Sequence, residues 1–329
     1  MTIEFEAPVL PSASAWSTLR LIDPPRSQER ASLLEFARRT YAGKRKPLLK
    51  RARFLLRALA RYRLHDAWLR LLEAPALRPM LARQPLLAAK IQHRYVLDGC
   101  DTAARLGLAS GHFDAFLRRV PRPLVTAIYS PAGLRLAAIE TPPGRYELRL
   151  LHLPHCWQEG EISIGLFEDS APIASTTFIL GDAAEFSPSL RAHQRALLIG
   201  GIQGLHGDDG QDAFRRATKA MQGLRPFSLL VHAARAVAGS LGATRLLAVA
   251  DAGHALRYKR GKGRIRLSYD AIWRDHGAGA LDARVFELGL ATAHRDLADI
   301  PSQKRAQYRR RYALMDSVDA EIRGALAAA

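Results

Sequence analysis

Glu159 and Glu161 stand two residues apart at the start of an alternating stretch, Glu161-Ile-Ser-Ile-Gly-Leu-Phe167, so both side chains are expected on one face of a strand. A carboxylate beside a sheet is a general base for an amine or for water when burial raises its pKa toward neutrality. The pair also reads as solvated edge residues. A second chemistry lies at Ala196-Leu-Leu-Ile-Gly-Gly-Ile-Gln-Gly204, where an apolar run enters glycines. Backbone N–H groups in such a turn hold a phosphate or a developing oxyanion, and Gly201, Gln203 and Gly204 are the candidates. The spacing matches neither a phosphate-binding loop nor a dinucleotide fingerprint, and Asp208 and Asp209 repel a phosphate.

The better anion candidate is Gln222-Gly-Leu-Arg-Pro226, directly before an apolar helix. Gly223 allows close approach, Arg225 supplies a fork of donors, and Pro226 suits a helix start. Both glycine segments also read as ordinary tight turns. Tyr269 and Trp273, four apart, share a helical face and either wall an aromatic pocket or cover the sheet.

His152, His155 and Cys156 lack a further Cys or His pair at zinc spacing, so no metal is expected. His93-Arg-Tyr95 and His254-Ala-Leu-Arg-Tyr258 each put an imidazole near an arginine and a phenol, as an acid–base group or as a hydrogen-bonded neighbour. Lys304-Arg305 and Arg309-Arg310-Arg311, interleaved with Tyr308 and Tyr312, form a basic patch. Lys44-Arg-Lys46 with Lys50-Arg-Ala-Arg53 form another. Such patches hold a phosphate backbone and stack bases, or are solvated faces.

The elements that must position these residues change character along the chain. Residues 1 to about 20 are expected to be a loose arm, and 29 to about 120 to be helical. Leu55, Leu59, Tyr62, Leu69 and Leu72 recur at three, four and seven, the stripe of one helix. Pro75, Pro79 and Pro85 break the run, and helices are expected over Leu87–Leu97 and Gly111–Arg119. After Pro121-Arg-Pro123, strands are expected at 134–139, 146–153, 161–167 and 173–180 as an antiparallel meander. A helix ended by Gly242, a strand at 245–250, a short strand at 285–288 and a basic helix over 302–323 complete the reading. The fold class is α+β: a helical region over 1–125, then a mixed-sheet domain over 126–329 with flanking helices.

A chain of 329 residues with 48% hydrophobic content buries a substantial core, while its apolar runs are too short to span a bilayer. Two cysteines, Cys100 and Cys156, make no disulfide framework. The acidic start Met1-Thr-Ile-Glu-Phe-Glu is unlike a signal peptide, so the cytoplasm is expected. A net charge of +18 attracts nucleic acid, anionic lipid or phosphorylated cofactors. An arginine-rich composition from GC-rich coding, giving a generic basic surface, also explains it.

His93-Arg-Tyr95, Glu159-Gly-Glu161, Ile199-Gly-Gly-Ile-Gln-Gly204, Thr218-Lys219 with Gly223-Leu-Arg-Pro226, Tyr269-Asp270 with Trp273, and Lys304 through Tyr312 together resemble the bacterial VirK/YbjX family. That resemblance covers roughly residues 30 to 325. It implies an envelope role linked to virulence and to tolerance of cationic antimicrobial peptides. The order of elements in the C-terminal part also resembles the GNAT acyltransferase fold, although Gln203-Gly-Leu-His-Gly207 departs from its pyrophosphate signature. The resemblance implies acyl or aminoacyl transfer to an amine acceptor. Glu159 or Glu161 would then be the base, Tyr269 the proton donor to the leaving group, and Gly201 and Gln203 the carbonyl-polarising segment. Gly223 and Arg225 would hold a phosphorylated donor, a coenzyme A thioester or a charged tRNA. The alternative is a non-catalytic protein that binds nucleic acid or anionic lipid through Lys44, Lys50, Arg309 and Arg310.

Overall fold

Ser32 accepts a hydrogen bond from the Glu35 N–H and so caps the first helix of the computed structural model, which describes residues 32–142, 144–204, 208–263, 265–292 and 294–327. The expected N-terminal arm lies outside these residues. The chain divides into two compact units. The first comprises the described residues up to Arg94 together with Gly99–Asp114; the second comprises Tyr95–Asp98 and the residues from Ala115 onward.

The first unit is helical: α1 (Leu33–Thr40), α2 (Pro47–Ala60), α3 (Tyr62–Glu73), α4 (Arg78–Arg83), a 3₁₀ segment (Pro85–Gln92) and the start of α5 (Thr102–Leu117). Two expectations need correcting here. The stripe from Leu55 to Leu72 belongs to two helices, because the chain turns at Arg61 (φ −132°, ψ 45°) and the helical phase restarts. Packing selects Phe54 and Ala58 as the buried face of α2, leaving Leu59 and Tyr62 exposed. The helix expected over Leu87–Leu97 ends at Gln92, and α5 begins at Thr102, nine residues before Gly111, where the Asp101 carboxylate caps the Ala104 N–H. Trp68 is fully buried, with its indole N–H donated to the Leu87 carbonyl at 2.9 Å.

The second unit is built on one eight-stranded sheet. Its elements are α6 (Arg122–Ile128), β1 (Leu134–Thr141), β2 (Gly144–Leu151), β3 (Ile162–Glu168), β4 (Ala171–Asp182), α7 (Ala183–Phe186), β5 (Arg195–Gly204), α8 (Asp208–Ala220), α9 (Pro226–Ser240), β6 (Arg245–Val249), α10 (Tyr269–Asp275), β7 (Gly279–Ala280), β8 (Val285–Leu288) and α11 (Ser302–Ala327). The strand order is β1-β2-β3-β4-β5-β6-β8-β7. The first five strands form the antiparallel meander, β5 and β6 are parallel, and β8 runs antiparallel to β6. The parallel step requires a crossover, which α8 and α9 supply.

β3 is not half-buried as its alternation suggested. Ile162 through Leu166 are all buried, because small Ser163 and Gly165 face packed structure on the second side. Helix α9 is buried around most of its girth and packs against β3 to β6. It ends as expected at Gly242 (φ +68°). The Ala243 N–H returns to Ala238 and the Gly242 N–H to Gly239, a Schellman cap. On α11, Met315, Val318 and Ile322 recur at three and four and are buried.

Two local features of β5 shape the site. Thr177 pairs with Gly201 and Phe178 with Ile199, so Gly200 is an extra residue, a bulge. Pairing between β5 and β6 ends at Ile199 and Ala248, while β5 itself runs on to Gly204. The two parallel strands therefore part at the bulge.

Candidate active site

Glu159 lies in the loop between β2 and β3, its N–H donated to the Cys156 carbonyl at 2.7 Å. Three glycines let this loop pack closely on β4 and β5. A Cβ at Gly160 would come within 2.6 Å of the Phe178 carbonyl oxygen, one at Gly200 within 1.9 Å of the Glu159 carbonyl oxygen, and one at Gly201 within 2.7 Å of the Glu159 carboxyl carbon. Gly200 and Gly201 are thus the floor on which Glu159 rests.

The Glu159 carboxylate is buried and meets His254, which is fully buried. His254 Nδ1 accepts the Leu256 N–H at 3.3 Å, so its Nε2–H is the donor to Glu159 Oε1 at 3.2 Å. The Tyr269 ring stands edge-on to the imidazole with centroids 4.9 Å apart. Burial, reinforced by the Glu159 charge, raises the Tyr269 pKa and keeps the phenol protonated. The Arg260 guanidinium lies over the Tyr269 ring and pairs with Asp251, which also accepts the Tyr269 N–H at 2.7 Å. Cys156 is beside the same group. Burial first, then the Glu159 charge, pushes its thiol up to about 12, against hydrogen bonds from Thr177, Ser175 and Gln203.

Residues Tyr95–Asp98 brace both halves of this arrangement. The Val96 N–H binds the Gln158 carbonyl at 2.8 Å, the Val96 carbonyl accepts the Ala255 N–H at 3.2 Å, and the Asp98 N–H binds the Gly253 carbonyl at 2.8 Å. Val96 adopts φ +51°, an uncommon conformation for a β-branched residue that the surrounding bonds must hold in place.

Glu159, Gln203, Gly204 and Tyr269 line one cavity of about 840 Å³, with Lys259 and Arg266 on its wall. Its size suits a small-molecule ligand. Glu161 is buried but is not on that wall; its Oε1 accepts the Tyr95 hydroxyl at 2.6 Å. The two carboxylates therefore serve different neighbours, because Glu159 precedes the strand and does not follow its alternation. Gly223 and Arg225 line a second cavity of about 340 Å³ with Asp275, His276 and Arg311. Phe214 and Phe227, edge-on at 5.0 Å, line both cavities. Gly223 has φ +79°, and its turn is tied to α11 by Arg311 hydrogen bonds to the Gln222 carbonyl. Trp273 is core, its indole N–H donated to the Val249 carbonyl, so Tyr269 walls the cavity while Trp273 covers the sheet.

His152 is stacked on Tyr129 and its Nδ1 meets the Glu161 carbonyl. Among the described residues no group of three His, Cys, Asp or Glu is arranged to hold a metal. On α11, Tyr312 is stacked on His294 and hydrogen-bonded to the Arg295 backbone, and Tyr308 lies under Arg311. Tyr312 anchors the helix, while Lys304, Arg309 and Arg310 are exposed. No helix among the described residues is long and apolar enough to cross a membrane.

A family model described as a protein of unknown function, DUF535, matches residues 43–324. The chain belongs to this family. A relative from Escherichia coli K12, "Uncharacterized protein YbjX", is 33% identical over 281 residues, covering 83% of this chain and 82% of that protein. This agrees with the VirK/YbjX resemblance. Two uncharacterized proteins of Haemophilus influenzae are 30% and 35% identical, covering 38% and 37% of this chain and 43% and 41% of their own lengths. The DUF535 match spans both cavities and the Glu159–His254 pair.

His254 is expected from the sequence as an acid–base candidate, but its partner lies 95 residues away. Lys259 and Arg266 are not among the expected site residues; their signal is the cation-and-glycine run Lys259-Arg-Gly-Lys-Gly-Arg-Ile-Arg266.

Proposed function

We propose that this protein transfers an acyl or aminoacyl group from an activated, phosphorylated donor to an amine. The observation that carries the proposal is the Glu159–His254 pair, opening on a cavity where β5 and β6 part after the Gly200 bulge. The strand order lends support. A meander leading to a strand, a turn, a helix and a parallel strand that splays away resembles the layout of GNAT acyltransferases. This part rests on fold analogy.

In the proposed reaction Glu159 takes a proton from the amine, and the nitrogen attacks the donor carbonyl carbon. The C–N bond forms as the bond to the donor's sulfur or ester oxygen breaks. Backbone N–H groups of β5 beyond Ile199 polarise the carbonyl. Tyr269, kept protonated, gives its proton to the leaving group, and the proton held by Glu159 restores the phenol. Arg225 and Gly223, in the adjoining cavity, hold a phosphate of the donor. The donor is a coenzyme A thioester or a charged tRNA. The test is a screen of acyl-coenzyme A thioesters and aminoacyl-tRNAs against amine acceptors, read as new amide by mass spectrometry. An amide made by the parent and lost in Glu159→Gln supports the reading. No amide with any donor, or undiminished amide from both Glu159→Gln and Glu161→Gln, removes it.

The exposure of Lys44, Lys50, Arg309 and Arg310 favours a second reading, a non-catalytic protein that grips nucleic acid. It requires affinity that falls steeply with salt and survives Glu159→Gln.

A further inference from the structure

Between Glu35 and Asp66 the chain carries eleven Lys and Arg residues and no acidic one. Within the same segment, α2 turns leucines outward: Leu48 is 76% exposed, Leu56 68%, Leu59 60% and Leu49 47%. At 3.6 residues per turn these are not scattered. Leu48, Leu59, Ala52, Leu56, Leu49 and Ala60 fall in sequence around an arc of roughly 120°. All six are exposed. Arg53, Arg57 and Lys50 border that arc over roughly the next 80°; they too are exposed. The buried side of the helix is Phe54 and Ala58, on the other side of the cylinder.

We propose that α2 is an interfacial helix that docks on an anionic lipid surface. Its leucine arc would enter the headgroup–acyl boundary while Lys50, Arg53 and Arg57 meet lipid phosphates. A surface helix with leucines on one arc and cations beside it fits a monotopic membrane element. A juxtaposed basic cluster adds attraction to anionic headgroups. Charge complementarity selects this occupant. A nucleic acid would use the cations but gain little from four leucines, since bases stack on aromatic rings. The proposal does not rest on acyl transfer.

The test is flotation of the full-length protein with vesicles of phosphatidylcholine containing about one third phosphatidylglycerol, against vesicles of phosphatidylcholine alone. The parent should float with the anionic vesicles only, less so as salt rises. Leu56→Gln with Leu59→Gln keeps every charge and should weaken partitioning at least about tenfold. Arg53→Gln with Arg57→Gln should weaken it as well. Both pairs are exposed, so unchanged thermal melts are expected to accompany the loss. Absence of flotation by the parent overturns the proposal. So does a leucine double variant that floats like the parent, which leaves charge alone. Leucine-dependent self-association in sedimentation, or leucine-dependent RNA retention, without flotation would assign the arc to a second copy or to RNA and also overturn it.

Discussion

The Nε2–H of His254 reaches Glu159 Oε1 at 3.2 Å, joining residues 95 positions apart in the chain. Because Leu256 donates its N–H to Nδ1, the imidazole is fixed in one tautomer and can only donate toward Glu159 in its neutral form. His254 therefore orients the carboxylate, while the opposite side of Glu159 rests on Gly201. The arrangement is a positioned base with its own second group, the logic of an acid–base site.

Glu159→Gln keeps the size and the acceptor that His254 needs, so folding should survive. If Glu159 is the base, turnover should fall roughly 10²–10⁴-fold. Glu161→Gln retains an acceptor for the Tyr95 hydroxyl and should change turnover far less. His254→Phe keeps the edge contact with Tyr269 but removes the donor, and should lower kcat by at least about tenfold with little change in KM. Steady-state kinetics of the three variants, with melts as a control, check the ordering.

Glycines give a sharper test of the packing. At Gly200 an added Cβ would lie 1.9 Å from a backbone oxygen, which no rotamer change relieves. Gly200→Ala should therefore cost about 3 kcal/mol or more in urea unfolding. Gly107 is in the interior of α5 with nothing within 4 Å of a new Cβ. Gly107→Ala should raise stability by roughly 0.5–1 kcal/mol. Equal effects from the two would mean that Glu159 is not seated on β5 as described.

The same glycines show where the sequence was readable. The alternation of Ile162, Ile164 and Leu166 located β3, and Gly242 marked the end of α9, because each signal is local. Gly200 and Gly201 also have a steric reason that comes from Glu159, about forty residues earlier, so no window around them holds it. The break at Arg61 has no proline or glycine to announce it. It follows from Phe54 and Ala58 turning inward, a tertiary choice that overrides the leucine stripe. The two-residue β7 is too short for any periodicity. Lys259 and Arg266 were legible as cations, yet only the fold brings them to the cavity wall.

Acid should weaken the helical unit first. His65 is buried beside Phe54, and neither ring nitrogen has a hydrogen-bond partner among the described residues. Burial lowers its pKa to about 4. Burial, with Arg57 and Arg105 adding to it, lowers that of His93 to about 4. The folded state thus prefers both neutral. Their contribution is complete above the ordinary histidine pKa near 6.5 and is lost as pH falls from 6.5 toward 4. Each group adds a slope of up to about 1.4 kcal/mol per pH unit in that window. Unfolding midpoints between pH 7 and 4 measure it. His65→Phe should flatten the fall, and a midpoint that rises toward pH 4 would exclude burial of the neutral forms.

The turn at Gln222–Pro226 separates a donor-binding cleft from a merely structural corner. Arg225 is exposed at the N-terminus of α9, with no side chain capping the helix, and Pro226 lacks an N–H of its own. Arg311 enters the same cavity, though its guanidinium already binds the Gln222 carbonyl. Asp275 on the wall opposes an anion, so the guanidiniums must outweigh one carboxylate. If the donor's phosphate binds here, Arg225→Ala should weaken donor affinity by roughly 1–3 kcal/mol, the range for a hydrogen bond to a charged group. Stability should change by less than about 0.5 kcal/mol, since an exposed arginine contributes little. Arg225→Lys should restore only part of the affinity, because an ammonium lacks the planar fork. Isothermal titration with the identified donor, and with inorganic pyrophosphate as the minimal anion, gives the comparison. A donor affinity unchanged in Arg225→Ala would move the phosphate to Lys259 and Arg266 on the first cavity, where substitution of those residues would have to produce the loss instead.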